Sequence, residues 1–433
     1  MTNTDDSKRP LAIDLDYEGW VSFFSRIGQP SYRAGQVTKW LWNRGVSDPA
    51  EMTDLGKALR EQLVAEVDFF VPTVEKEERS RDGTRKFLLA MKDGAKVETA
   101  LLKQGDRLTA CVSTQAGCPV GCPFCVTGGA AYERSLTRGE IAWQVLAMEK
   151  QVGREVGNVV LMGMGEPFLN TSETLAAIRI LNDPKMRGLG IRHITVSTSG
   201  IVPGIQALAE SGLGVRLAVS LHAANDELRD ELVPCNTTYP LGDLLPALRE
   251  YQQATGDRIT VEYALFRDKN DSLAHARELV RTLRGIHVFV NLIPANAGRP
   301  GFERSRDADM LRFQSVLKSA GFESEIRVER GAEINAACGQ LKGTEESATR
   351  PAEKAKPERN RPDRKEGRGP AKTPQRPHRE DTAPKSGEPS LARPKGDRPA
   401  ARRKERVAPS GKKQGDGRGH EGPRPPRKKE GRA

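Results

Sequence analysis

The stretch Thr109–Gly129, TACVSTQAGCPVGCPFCVTGG, holds four of the chain's six cysteines. Cys118, Cys122 and Cys125 form Cys-x3-Cys-x2-Cys, and Cys111 precedes them by seven residues. Iron–sulfur clusters used for electron transfer usually take four thiolates. Three closely spaced thiolates suit three irons of a cubane and leave the fourth iron open to a small molecule. The rival is zinc. Structural zinc takes four ligands, commonly from two Cys-x2-Cys pairs. No second pair exists, since the remaining cysteines are Cys235 and Cys338 and the six histidines are scattered. The spacing favours a [4Fe–4S] cluster on Cys118, Cys122 and Cys125.

Around this stretch the chain has a βα rhythm. Strand candidates are Thr109–Ser113, Asn158–Met162, Ile194–Ser197, Arg216–Leu221, Ile259–Phe266, Val288–Ile293 and Ile326–Val328. Helical patterns lie between most of them, at Thr137–Gln151, Ser172–Leu181, Leu241–Ala254, Ser272–Arg284 and Ala308–Ala320. Such alternation implies an α/β fold with a parallel sheet or partial (β/α) barrel. Polar residues cluster just after the strands, at Gly163–Glu166, Ser197–Ser199 and Ser220–His222. In α/β barrels the active site lies at the C-terminal ends of the strands.

Upstream, two apolar runs, Lys86–Met91 and Lys96–Leu102, flank Lys92-Asp93-Gly94-Ala95, a hairpin signal. Further upstream, Val37, Trp40 and Leu41 have helical spacing. There Arg33, Lys39 and Arg44 interleave with Trp40 and Trp42, a pattern either for gripping RNA or for a core with solvated charges. The expected organisation is a flexible N-terminus at 1–14, a helical RNA-binding accessory domain at 15–80, a hairpin linker at 81–108, the barrel core at 109–343 and a tail at 344–433.

Net charge is +11, which at first suggests a nucleic-acid binder. Its distribution matters more. The tail Thr344–Ala433 carries 27 of the 69 Lys and Arg and 14 of the 58 Asp and Glu, leaving 42 against 44 elsewhere. The tail also has half of the 28 prolines, and Leu391 and Val407 are its only large apolar residues. It cannot bury enough surface to offset chain entropy, so a disordered polybasic tail is expected. It is either a solvated appendage or a sequence-blind tether to RNA phosphates. No signal-peptide pattern opens the chain and no stretch suits a membrane span. Clustered cysteines in such a chain point to a reducing cytoplasm, not a disulfide framework.

The triplet after a strand at the head of a βα series resembles the radical S-adenosylmethionine (SAM) superfamily, as does Gly163-Met164-Gly165-Glu166-Pro167 downstream. The ordered set VETA around Glu98, Cys111-VSTQAG-Cys118, GMGEPFLN, ITVSTSG, AVSLHAANDELRDELVP, NLIP and INAACGQL is similar to the RlmN/Cfr family of RNA methyltransferases. The likeness covers roughly residues 15–343 and is closer to the C2-modifying branch. Cys338 in Ala-Ala-Cys-Gly-Gln, together with Cys111, separates this family from radical SAM proteins generally.

The resemblance implies methylation of adenosine C2 in 23S rRNA and in tRNA, 3′ of the anticodon, with two SAM molecules per turnover. Carbon 2 lies between two ring nitrogens and is electron-poor, so polar transfer of an electrophilic methyl to it is unfavourable. In the implied route Cys338 takes a methyl from one SAM. A deoxyadenosyl radical from a second SAM activates that S-methyl, and the resulting carbon radical adds to the ring. Glu98 accepts the ring proton. Cys111 then attacks the sulfur of Cys338 and releases the base as a transient disulfide forms. An external electron donor and a disulfide reductant complete the cycle. SAM contacts are implied at Gly165, Glu166, Ser197, Ser220, Leu221, His222 and Asn296, in a protein expected to be monomeric.

Each residue also has a plainer explanation. Glu98 alone is a surface strand carboxylate, Cys111 a buried strand cysteine and His222 a capping or core histidine. Cys235 has no role in the implied scheme. Glu133 and Ser135 depart from the family pattern after the cluster loop, as does the segment following Asn296. Two other functions fit the same residues: C8 methylation, and a non-catalytic metal-stabilised RNA-binding protein.

Overall fold

The computed structural model describes residues 9–296 and 299–342. The expected disordered tail, 344–433, lies outside the described residues. The front end is helical: α1 (Tyr17–Arg26), α2 (Tyr32–Thr38) running into a π turn at Lys39–Asn43, and α3 (Lys57–Glu66). Its core is aromatic. Trp20, Phe23 and Phe24 on α1 stack or meet edge-on at 5.5–5.8 Å between ring centroids. Trp42 is buried and meets Trp143 edge-on at 5.6 Å. Trp40 is only half-buried, with the Arg44 guanidinium 3.9 Å over its ring and its Nε1 donating to Asp54 Oδ1 at 2.6 Å. Of the two tryptophans, Trp42 is core and Trp40 carries the basic stack.

Two expectations shift here. Residues 11–14 are packed: Ala12 and Ile13 are fully buried, and Asp14 Oδ1 accepts from Gly139 N. Their apolar side chains fill the seam between the front end and the barrel. The helical segment also ends before residue 80, because Thr73–Arg79 is already a strand, β1.

β1 begins an antiparallel meander with β2 (Arg85–Ala90), β3 (Lys96–Gln104) and β4 (Arg107–Cys111). The hairpin expected around Asp93-Gly94 joins β2 to β3, with Gly94 at φ +87°. A two-stranded clip follows, β5 (Gln115–Ala116) with β6 (Arg134–Ser135). From β4 the sheet turns parallel through β7 (Asn158–Leu161), β8 (Ile194–Thr198), β9 (Arg216–Ser220), β10 (Ile259–Leu265), β11 (Val288–Pro294) and β12 (Glu323–Ile326). The ten-stranded order is β1-β2-β3-β4-β7-β8-β9-β10-β11-β12. The last strand ends at Ile326, earlier than the expected Ile326–Val328, because its ladder to β11 runs from Phe289↔Glu323 to Leu292↔Ile326.

The remaining helices are α4 (Arg138–Val152), α5 (Thr171–Asn182), α6 (Val202–Glu210), α7 (Asp226–Leu232), α8 (Leu241–Thr255), α9 (Leu273–Thr282) and α10 (Asp307–Ser319). α4 starts on a capping box in which Thr137 and Glu140 bond each other's backbone N–H, and it ends at Gly153 in the left-handed region. It is buried along most of its length, as a helix clamped between the front end and the sheet must be. Among the described residues no helix is long and apolar enough to cross a membrane.

Candidate active site

The C-terminal ends of β4 and β7–β12 surround one cavity of about 240 Å³. Every residue expected in the site lines it except Glu98 and Leu221. Leu221 is a buried packing residue whose N donates to Glu262 O at 3.0 Å.

The cluster loop is built from small residues and tight turns. At Gly117 φ is +83°, and a Cβ there would stand 2.2 Å from Ala131 O; one at Gly128 would stand 2.7 Å from Cys122 O. Only glycine lets this loop fold back on itself. Arg134 secures its exit with a bidentate pair to Glu140 at 2.8 and 2.9 Å and further bonds to Asp93. Ser135, one of the departures from the family pattern, accepts from Gln115 Nε2 at 3.2 Å.

Cys118, Cys122 and Cys125 face the cavity. Burial, then the neighbouring thiols, pushes the Cys118 and Cys122 thiols well above the ordinary range. Among the described residues no three His, Cys, Asp or Glu side chains converge on a point that would hold a single ion. A cubane is wider than an ion and asks for no such point, so three thiols around one cavity fit a [4Fe–4S] cluster. Their protons must leave as metal binds.

Next to the thiols lies the Gly163–Glu166 turn. Gly165 has φ +99°, and a Cβ there would sit 2.6 Å from the Gln115 side chain. Glu166 is buried, and burial raises its pKa while hydrogen bonds to Ser199, Phe168 and Thr198 oppose the rise. Oε2 accepts from Ser199 N (2.7 Å) and Ser199 Oγ (2.8 Å), and Oε1 accepts from Phe168 N (3.0 Å). Oε1 keeps acceptor capacity for one more donor, such as a ligand ammonium.

Arg229, fully buried, ties this wall together. It donates to Leu221 O (3.2 Å), Asn236 Oδ1 (2.6 Å) and Ser199 O (2.5 Å), fixing the ends of β8 and β9. His222 has φ +58°, and its Nδ1 accepts from Ala264 N at 3.0 Å. Burial, helped by the Arg229 charge, pushes its pKa down to about 3. The ring is therefore neutral, with the proton on Nε2.

The opposite wall brings Cys111 and Cys338 onto the same cavity. Cys338 is exposed; Cys111 is pushed up to about 12 by burial and then by the charge of Cys338. The loop bearing Cys338 is pinned by Asn296 Nδ2 to Cys338 O (2.9 Å), Val126 N to Gly339 O (2.8 Å) and Thr127 Oγ1 to Leu341 O (2.5 Å). Asn296 thus touches the cysteine loop itself.

Glu98 lies behind this wall, buried, not on the surface. Its Oε1 pairs with Lys86 Nζ at 3.0 Å, and its Oε2 accepts from Lys342 N at 2.8 Å. Two cavity residues, Glu262 and Arg327, were singled out by no motif, and the role of the buried Arg229 was not read from the motif that contains it. Glu262 accepts from Asn291 Nδ2 at 2.8 Å, and Arg327 carries the positive charge beside Cys338, Glu262 and Cys111. A lone carboxylate inside the apolar strand run ITVEYAL was the available clue to Glu262.

Two family models match the chain: the radical SAM superfamily over residues 112–280 and the ribosomal RNA large subunit methyltransferase N-terminal domain over residues 12–68. A probable dual-specificity RNA methyltransferase RlmN from Thermotoga neapolitana is 46% identical over 331 residues, spanning 76% of this chain and 96% of that protein. The chain belongs to the RlmN family of radical SAM RNA methyltransferases. The dual-specificity RNA methyltransferase RlmN of Alcanivorax borkumensis is 46% identical over 345 residues, 77% of this chain and 90% of its own length. A radical SAM methyltransferase from Sphaerobacter thermophilus superposes with a TM-score of 0.74 at 43% identity, covering 77% of this chain and all of that one. Membership of the RlmN family implies a [4Fe–4S] cluster and SAM, in keeping with the three thiols and the Glu166 wall.

Proposed function

We propose that this chain methylates C2 of adenosine in 23S rRNA and in tRNA, using Cys338 as the methyl carrier. The observation that carries the proposal is the meeting of Cys111 and Cys338 on the cavity that also holds Cys118, Cys122 and Cys125. A radical SAM protein that only cleaves SAM needs no such pair. The relatives named RlmN favour C2 over C8.

In this mechanism Cys118, Cys122 and Cys125 hold the cluster, and Gly165, Glu166, Ser197, Ser220, His222 and Asn296 hold SAM, with Leu221 packing behind. When bound, the reduced cluster and SAM supply a radical that takes hydrogen from a methyl group. Cys338, the exposed thiol, reaches the first SAM and becomes S-methylcysteine. Two SAM molecules are used per turnover, one for this methyl and one for the radical. After the carbon on Cys338 joins the base, Glu98 removes the ring proton. Cys111 then attacks Cys338 Sγ; the sulfur–carbon bond breaks as the disulfide forms, the released carbon takes up a proton to become the methyl group, and the adduct's unpaired electron leaves to the external redox partner. A dithiol reductant outside the chain restores both thiols. Arg327, beside both cysteines, opposes the rise that burial imposes on the Cys111 thiol. The front end (15–80), with Arg44 stacked on the half-buried Trp40, contributes RNA contacts.

Nucleoside mass spectrometry of RNA treated with the reconstituted enzyme tests this. We expect 2-methyladenosine; 8-methyladenosine alone contradicts it.

A further inference from the structure

A base that takes a proton once per turnover must also give it up. Glu98 is poorly placed to give it to water, because its side chain is only 6% exposed. One oxygen is capped by Lys342 N–H, 2.8 Å away, and the other meets Lys86. Lys86 is equally buried and stands between two carboxylates, with Nζ 3.0 Å from Glu98 Oε1 and 2.9 Å from Glu78 Oε2. The meander builds this row. Glu78 on β1 lies directly opposite Lys86 on β2, and β2 pairs in turn with β3, which carries Glu98. Glu78 is the member that reaches solvent. Its side chain is 30% exposed, and its Oε1 is 2.7 Å from Lys76 Nζ on the surface.

A buried ion pair is weak evidence for stability, since apolar residues of similar volume often serve as well. A row of three ionisable groups from the base to the surface fits a different task.

We propose that Glu98, Lys86 and Glu78 form the exit path for the proton that Glu98 removes from the base. The inference rests on Glu98 being that base. In the step, the Glu98 carboxylic acid gives its proton to Lys86 as the Lys86 ammonium gives one to Glu78. Lys86 ends as it began, Glu98 is a carboxylate again, and Glu78 passes the proton to buffer. No bond between heavy atoms changes. Lys86 is thus a positioning residue that also relays, and Glu78 is the outlet.

The step it serves can be isolated, because the RNA stays joined to Cys338 until the ring proton has left. Multiple-turnover reactions with the full-length holoenzyme, SAM, reductant and RNA, resolved on denaturing gels, measure the lifetime of that adduct, with the first turnover, which needs Glu98 only once, as the internal control. In Glu78→Gln, at a half-exposed site that tolerates change, Cys338 methyl loading stays at the wild-type level. In turnovers after the first, the adduct lasts about a hundredfold longer, at the low end of what proton transfer contributes, and added imidazole shortens it. Lys86→Arg keeps the cation and retains more release than Lys86→Met. A merely structural role for Lys86 predicts that methyl loading and release fall together. Wild-type adduct decay in Glu78→Gln, alongside a lasting adduct in Glu98→Gln, removes the exit path and leaves Glu98 as the base. An adduct in Glu98→Gln that decays like wild type sinks the base assignment, and the path with it.

Discussion

The two walls of the cavity are held in different ways. The strand-end wall at β7–β9 is fixed by buried groups that each hold several backbone atoms: Glu166 grips Ser199 and Phe168, and Arg229 grips Leu221, Asn236 and Ser199. The thiol wall is assembled from segments far apart in sequence. Asn296, Val126 and Thr127 each lend one hydrogen bond to the Cys338 loop, and Lys342 N–H reaches Glu98 across 244 positions. The first arrangement suits binding SAM in one fixed pose. In the proposed mechanism the second lets Cys338 meet SAM, the RNA base and Cys111 in turn.

The largest effect belongs to the cluster between the walls. Cys122→Ala removes one of three thiolates and should abolish both the visible absorbance of the reconstituted cluster and all methyl transfer. Retained absorbance with three iron-ligating cysteines reduced to two breaks the assignment. On the rigid wall, Arg229→Met strands several buried acceptors, and equilibrium denaturation should show a loss of about 3 kcal/mol. A loss near zero means that this wall is no firmer than the other.

The thiol wall predicts an asymmetry. Cys338 is exposed, while Cys111 is half-buried and its thiol is pushed up to about 12. Iodoacetamide at neutral pH should therefore label Cys338 more than about tenfold faster than Cys111, read by peptide mass. Asn296→Ala removes one of the loop's ties, worth about 1 kcal/mol. It should slow methyl loading of Cys338 roughly fivefold with little change in unfolding midpoint.

The smallest effect comes from His222. Its folded-state pKa, pushed down to about 3, lies below the unfolded value near 6.5. The unfolded chain therefore binds the extra proton first. The contribution is fully present above about pH 6.5 and is lost as pH falls through about 3. His222→Asn should flatten that part of the stability–pH curve, and an unchanged slope contradicts the neutral, buried assignment.

What could be read from the sequence follows the same division. The strand-end wall comes from short contiguous motifs such as GMGEP and SLH at strand ends, so position along the chain puts Glu166 and His222 there, and the resemblance adds their expected SAM contacts. The βα rhythm likewise gives six of the seven parallel strands to within about two residues. The seventh, β12, shifts because its pairing with β11, not its own apolar pattern, sets its bounds. The thiol wall exists only once β3, β4 and the last loop meet. Glu98 shows this best: along the chain it looks like a strand carboxylate bound for solvent, and only the fold puts Lys86 against it and buries both. Arg229 was hidden for a related reason, since the other charged residues of DELRDEL face solvent while it turns inward with Leu232.

The central claim is that Cys338 carries the methyl group. Peptide mass spectrometry of the Cys338 segment, after anaerobic incubation of the reconstituted protein with SAM and no RNA, tests it most directly. The account predicts one methyl on Cys338 and none on Cys111 or Cys235. An unmodified Cys338 in a preparation that still methylates RNA contradicts it.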